Sequence, residues 1–331
     1  MKKFIRILTL IVICSLLGIS IISLTACTSA DYLVGISQFA PHSALDEATK
    51  GFVDKLTLWA NASGKTIEFV RQNCNGEVPN AITVASNLIA REPDLILGNA
   101  TPSAVALASK TSTIPLLFTA VTDPQDACLT ASNISGTSDL NPVEEQVKLI
   151  KEIVEAKGDT LTKFGVLYCS SERNSLTQVN LVKEICKTLF PTVVIKEITV
   201  SQSSDLSSAL SDANLEGLQA LYLPTDNLIA DNIATVSSKT QPKQIPLICG
   251  EDNMCKDNNT GLATLSISYY ALGEQTAEIA IKVLSGEKKI SDIPWQFYTG
   301  KNILFINRET AQSLGYTTAQ IDALQALHGG N

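Results

Sequence analysis

The sequence predicts an α/β fold: two Rossmann-like lobes, each a parallel sheet flanked by helices, joined by three crossovers. Three observations carry this reading. Short apolar runs alternate with segments whose apolar residues recur every three or four positions, the pattern of strand followed by helix. The strand runs are apolar almost throughout, as parallel strands covered on both faces must be. The second half of the chain also repeats the first. Ile114-Pro115-Leu116-Leu117-Phe118 returns as Ile245-Pro246-Leu247-Ile248-Cys249, 131 positions later. Gly35 in Val34-Gly35-Ile36 matches Gly165 in Phe164-Gly165-Val166, and Leu95-Ile96-Leu97 matches Leu221-Tyr222-Leu223.

Taken in order, the first set of strands is expected at Tyr32–Ser37, Thr66–Val70, Leu95–Leu97 and Leu116–Thr119. The second is expected at Phe164–Tyr168, Val193–Ile198, Ala220–Leu223 and Leu247–Cys249. Between them lie helical patterns such as Ala81, Val84, Ala85, Leu88 and Ile89. The turn-rich stretch Gly136–Pro142 separates the two sets. Asn141-Pro142 with Glu144 and Glu145 reads as a helix start, so the chain first crosses between lobes here. Tyr270–Leu284 is a late helix with a stop at Gly286, expected to pack back on the first lobe; a third crossing near Pro294–Gly300 returns the tail to the second.

The amino terminus restricts function further. Lys2, Lys3 and Arg6 precede an apolar run from Ile7 to Ile22, and the run closes on Leu24-Thr25-Ala26-Cys27. A basic start, an apolar stretch and small residues form a secretion signal, and the last four residues resemble the bacterial lipobox, which implies a lipid on the Cys27 thiol. The expected organisation is a signal peptide with lipobox over 1–26, a lipidated linker over 27–31, a first lobe over 32–138 plus 267–293, a second over 139–266 plus 294–325, and a polar tail over 326–331. The expected location is the extracytoplasmic face of the cell membrane, anchored by lipid. A protein held there has no ATP or NADH to work with, which leaves capture, sensing or hydrolysis. From a net charge of −8, removing three bases and no acids leaves −11 on the remainder. Nucleic acid is therefore a poor partner, and a monomer tethered only by Cys27 is expected. Of the other cysteines, Cys74, Cys128, Cys169, Cys186, Cys249 and Cys255 allow fifteen pairings, with Cys74–Cys128 and Cys249–Cys255 the first candidates for a disulfide. None has zinc-type spacing, and no metal or cofactor is expected.

In an open parallel sheet, ligands bind outside the carboxyl ends of the strands. The residues there are Gln38 and His42; Thr101, Pro102 and Ser103; Thr122 and Asp123; Glu172, Asn174 and Ser175; Thr225, Asp226 and Asn227; and Glu251 with Asp252. Any one of them is as well explained as a helix cap. Six such clusters on one edge of two facing lobes indicate a cleft. An enzyme is not expected: the chain lacks G-x-S-x-G, H-E-x-x-H, a Walker loop and G-x-G-x-x-G. His42 and Asp46 at i, i+4 read as a helix-start histidine bonded within its own turn, and the adjacent Glu251 and Asp252 read as diverging, solvated carboxylates.

These clusters, taken in order, resemble the lipoprotein substrate-binding components of ABC importers of the tryptophan/tyrosine/phenylalanine type. The likeness spans nearly all of residues 32–316. It rests on Ser37-Gln38 with His42 and Leu45-Asp46, Pro93-Asp94 with Ala100-Thr101-Pro102, Thr122-Asp123-Pro124 and Asn133–Ser138. Glu172 with Asn174-Ser175, Pro224–Asn227, Tyr269-Tyr270 with Leu272-Gly273, and Ile306-Asn307 with Ala311 and Leu314-Gly315 complete it. The resemblance implies a type I periplasmic-binding-protein fold, ABC permease subunits as partners, and an aromatic or similar amino acid in the cleft. Its ligand set would be Gln38, His42, Thr101, Pro102, Thr122, Asp123, Glu172, Asn174, Ser175, Thr225, Asp226, Asn227 and Asp252. Thr101 and Ser175 are the expected donors to a ligand carboxylate, and Asp226 and Glu172 the expected partners of an ammonium. The chain departs from the pattern at Cys169, at Arg173 and over Glu251–Thr260. A lipoprotein that senses a ligand for a membrane receptor, or one that binds a nucleoside or sugar, is the alternative.

Overall fold

The computed structural model describes residues 30–256 and 260–328. The signal and lipobox expected over 1–26, Cys27, and the last residues of the tail lie outside them. The body from Tyr32 onward holds two six-stranded sheets. The first is formed by β1 (Tyr32–Gln38), β2 (Ile67–Asn73), β3 (Leu95–Asn99), β4 (Leu116–Val121), β5 (Ile134–Ser138) and β11 (Gln296–Phe297), in the order β11-β5-β4-β3-β1-β2. The second is formed by β6 (Lys163–Cys169), β7 (Val194–Val200), β8 (Leu221–Leu223), β9 (Leu247–Cys249), β10 (Ala263–Ser266) and β12 (Ile303–Ile306), in the order β12-β10-β9-β8-β6-β7. The two orders are the same from one lobe to the next. All pairings are parallel except β10 with β12.

The strand chemistry follows position. β3, β4, β8 and β9 are buried along their whole length, whereas the edge strands β2 and β7 mix half-buried and exposed residues, with buried ones only at Ile198 and Val200. Four strands lie outside the eight expected, β5, β10, β11 and β12. β5 is Ile-Ser-Gly-Thr-Ser yet almost wholly buried. Its Thr137 hydroxyl bonds the Thr276 hydroxyl at 3.0 Å, and Gly136 lies so close to Phe118 that a Cβ would sit 2.2 Å from the Phe118 carbonyl oxygen. Hydroxyl pairing between this strand and the helix that carries Thr276 replaces the apolar contacts that sequence patterns detect. β10 and β12 sit at the far edge of the second sheet, and β11 is two residues long.

Helices cover both sheets: α1 (Ser43–Ala62), α2 (Val78–Ile89), α3 (Thr101–Ala108), α4 (Val143–Glu155), α5 (Arg173–Leu189), α6 (Asn227–Asp231), α7 (Ile233–Thr240), α8 (Tyr269–Leu284), α9 (Arg308–Ser313) and α10 (Thr318–Leu327). Among the described residues no helix is long and apolar enough to cross a membrane. α8 packs along α1 at backbone contact. A Cβ on Gly51 would lie 2.0 Å from the Tyr270 carbonyl oxygen, and one on Gly273 2.0 Å from that of Ala48. Glycine at both positions is what lets the late helix seat on the first lobe. The chain crosses between lobes at 139–142, at 267–268 and after β11. Asn141 joins the first two crossings by accepting from the Ile267 N–H at 3.3 Å. Because Gln296 and Phe297 pair with Thr137 and Ser138, the first lobe continues to Phe297 rather than ending at 293. α10 likewise runs to Leu327, past the expected start of the polar tail at 326.

Candidate functional site

The carboxyl ends of both sheets face each other across a cleft. Its inner chamber is walled by His42, Leu45, Ala120, Thr122, Asp139 and Tyr269 from one side and by Asn174, Thr225, Asp226, Asn227 and Glu251 from the other. No lysine or arginine lines it. Its free volume is about 10 Å³, room for one water-sized group.

The lining is ordered by a chain of hydrogen bonds that begins at Glu172. That carboxylate accepts from the Asn227 N–H at 3.1 Å, the Leu228 N–H at 3.0 Å and the Asn227 side-chain amide at 2.6 Å. The Asn227 amide nitrogen is thereby committed, so its Oδ1 is an acceptor. It receives the His42 Nε2–H at 3.1 Å across the cleft. With Nε2 protonated, neutral His42 presents Nδ1 as a lone pair. Burial lowers the His42 pKa, which keeps the ring neutral. Nδ1 has no hydrogen-bond partner and lies 3.9 Å from Glu251 Oε1, which has none either. Asn174 behaves in the same way. Its amide nitrogen donates to the Thr225 carbonyl at 2.8 Å and to Glu172 at 3.2 Å, leaving its buried Oδ1 without a donor. Three orphan acceptors thus line one small chamber.

Acids dominate the charge. Burial pushes Glu251 well up, and the nearby Asp252, Asp139 and Asp226 add to the effect. Asp139 is pushed up to about 6 by burial, against hydrogen bonds from Tyr269 Oη at 3.0 Å and Thr122 Oγ1 at 3.1 Å. Asp226 is raised by burial and by Glu172 beside it. A buried carboxylate without a cation is costly, and this chamber gathers several.

Several expected site residues turn to other tasks. Asp226 caps α6 through Ile229 N–H at 2.9 Å and also accepts from Cys169 N–H at 2.6 Å and Ser175 Oγ at 2.7 Å. The Ser175 hydroxyl is therefore committed to Asp226 and is not a free donor. Glu172, with four donors, is equally saturated. Gln38 turns away into the first lobe, donating to Asp46 at 2.6 Å and accepting from Thr49 at 2.8 Å. Asp123 caps its own turn through Gln125 and Asp126 N–H. Asp252 pairs with Lys256. Thr101 is buried at the start of α3 with its hydroxyl unpartnered, and Pro102 lines an outer chamber of about 430 Å³ with Phe39, Val78, Pro79, Glu172 and Leu228. The inner and outer chambers share Asn227.

Other readings are corrected. His42 makes no side-chain bond to its own turn; it reaches across the cleft instead. Glu251 and Asp252 do diverge, but Glu251 is buried rather than solvated. Arg173 points out of the chamber and ties the lobes at the rim, bonding the Asp126 carbonyl and pairing with its carboxylate at 3.8 Å, while Thr177 donates to that carboxylate at 3.3 Å. All six cysteines among the described residues are thiols. Cys74 is buried against the Ser37 and Ser103 hydroxyls, far from a pairing with exposed Cys128. Asp139, Glu251 and Tyr269 are the polar lining residues absent from the expected ligand set, although the sequence places Glu251 at a strand end, where it reads as solvated. Each follows a strand end or crossing, which is the only signal the sequence offers for them.

Set beside known proteins, residues 33–325 match the family model described as ABC transporter substrate binding protein. The chain is 35% identical over 302 residues to a tyrosine-binding protein of Clostridioides difficile strain R20291, covering 89% of this chain and 84% of that one. The structure of the ABC domain in complex with L-Trp from Streptococcus pneumonia superposes with a TM-score of 0.77 at 31% identity, covering 86% of this chain and 95% of the other. A ligand-free, open substrate-binding protein with adhesive properties from Clostridium difficile gives 0.65 at 32% identity, covering 87% and 96%. With identity and coverage within one percentage point, this structure superposes better on the ligand complex. The chain belongs to the ABC transporter substrate-binding proteins, with the two-lobed type I fold. Members of this class work outside the cytoplasm.

Proposed function

We propose that this protein captures an aromatic amino acid between its lobes and hands it to an ABC permease, performing no chemistry. One observation carries the reading. Three buried acceptors, His42 Nδ1, Asn174 Oδ1 and Glu251 Oε1, lack donors and line one chamber that has acids but no lysine or arginine. An ammonium offers three N–H donors and one positive charge, which answers the geometry and the electrostatics together. Glu251 is its counterion in this reading, in place of Asp226 and Glu172. The inner chamber holds no more than that head group. The side chain would lie toward the outer chamber, where Phe39, Val78, Pro79 and Leu228 supply apolar surface. Thr101, with its unpartnered buried hydroxyl, is the remaining donor candidate for the carboxylate. The tyrosine-binding relative and the L-Trp complex support an aromatic side chain. Cys27 would carry the lipid anchor.

The test is a thermal-shift and calorimetric screen of purified residues 28–331 against the twenty amino acids, aromatic amines, nucleosides and sugars. A ligand at a hundred times its dissociation constant stabilises the fold by about 2.7 kcal/mol. Tyrosine, tryptophan or phenylalanine should give the largest shifts. A response confined to neutral sugars or nucleosides would overturn the reading.

A further inference from the structure

Cys249 ends β9, and Cys255 follows the single helical turn Asp252–Met254 that leads out of it. Both are fully buried thiols. Gly261 shows how close they are. A Cβ at that position would lie 2.6 Å from Cys249 Sγ and 2.8 Å from Cys255 Sγ, and the two thiols also hydrogen-bond to each other. Only glycine fits there, because the Met254 carbonyl oxygen occupies the remaining space at 2.6 Å and accepts from the Gly261 N–H at 3.0 Å. The other thiols have different surroundings. Cys74 and Cys169 lie against serine hydroxyls, Cys128 is exposed, and Cys186 lies in the apolar core of the second lobe.

We propose that Cys249 and Cys255 form a disulfide in the exported protein, and that this bond pins the turn that presents Glu251 to the cleft. Proteins that work outside the cytoplasm meet an oxidising environment in which such bonds persist. In the reaction both S–H bonds break and one S–S bond forms. Two electrons, and through solvent two protons, pass to a protein or small-molecule disulfide, which is reduced to two thiols. The bond would close a loop of residues 250–254, which contains Glu251. A short covalent loop removes little chain entropy on the scale of the whole protein. It does remove the local freedom of the backbone that aims the Glu251 carboxylate.

Trypsin provides a direct assay, because cleavage after Lys243 and Lys256 releases Gln244–Lys256, which holds both cysteines and no other. The full chain, exported and purified without reductant, is denatured, alkylated and digested. The proposal expects this peptide unalkylated and two hydrogens lighter than its dithiol form, taking two alkyl groups only after reduction. Two alkyl groups without reduction, or either cysteine linked elsewhere, would overturn it. Hydrogen exchange then tests the pinning. Amides 250–255 should exchange at least tenfold faster in Cys249→Ser/Cys255→Ser than in the wild type. If that variant does not fold, phosphine-reduced wild type serves for the same comparison. Equal exchange would refute the pinning role. Neither measurement uses a ligand, so each can fail independently of the amino acid reading.

Discussion

Replacing Glu251 by glutamine separates binding from folding, because the two should move in opposite directions. The substitution keeps size and shape and removes only the charge. In the unliganded protein Glu251 is a buried acid whose pKa lies well above its ordinary value, with Oε1 unpartnered. An acid raised in this way adds stability below its unfolded pKa and loses it as pH rises through the folded one. Above the unfolded pKa, burying this carboxyl burdens the fold, so Glu251→Gln should leave the Tm of the unliganded protein at neutral pH unchanged or higher. Binding responds the other way. A hydrogen bond to a charged partner contributes about 1.5–3 kcal/mol, and the ligand ammonium would lose its only unsaturated carboxylate. The expected loss is roughly 10- to 100-fold in Kd, read by isothermal titration calorimetry at neutral pH. Asp252→Asn is the control: that carboxylate pairs with Lys256 and does not line the chamber, so its affinity should stay near wild type. If Glu251→Gln binds as tightly as wild type, the ammonium is not held there. If it instead lowers the unliganded Tm by many degrees, the carboxylate is structural.

Asp226→Asn should behave as a folding variant. Both oxygens already accept, from Ile229 N–H on one and from Cys169 N–H and Ser175 Oγ on the other, so either orientation of the amide sets NH₂ against an N–H donor. A stability loss of about 1–3 kcal/mol is expected, measured by urea unfolding; full stability with reduced affinity would restore Asp226 as the counterion. Gly273→Ala forces a methyl toward the Ala48 carbonyl oxygen and should cost about 1–3 kcal/mol, with a thermal melt equal to wild type refuting that contact. Affinity for an amino acid should fall as pH drops through about 6, because Asp139 gains a proton there while the ligand ammonium stays charged. Calorimetry across that range should show the fall, and Asp139→Asn should flatten part of it. A pH-independent Kd would contradict the acid-lined chamber.

Much of this protein was legible in the linear pattern. Buried parallel strands must be apolar along their length, so eight of the strands stand out. The repeat of Ile-Pro before β4 and β9 announces two lobes, and the rule that ligands lie at strand ends leads to His42, Asn174 and Asn227. The pattern could not show strands that are buried without being apolar. β5 is held by Thr137 against Thr276 and by the close approach that Gly136 permits, and both depend on α8 returning to the first lobe from far along the chain. Individual roles at the site were equally out of reach, since a carboxylate after a strand can cap a helix or face a ligand. Asp226 and Glu172 became caps because α5 and α6 deliver backbone and side-chain donors to them, whereas Glu251, on the turn after β9, is left with Oε1 unpartnered. Which acid stays unsaturated depends on donors supplied by other elements. Local sequence fixes where the acids stand, and only the packed fold fixes which of them is left for a ligand.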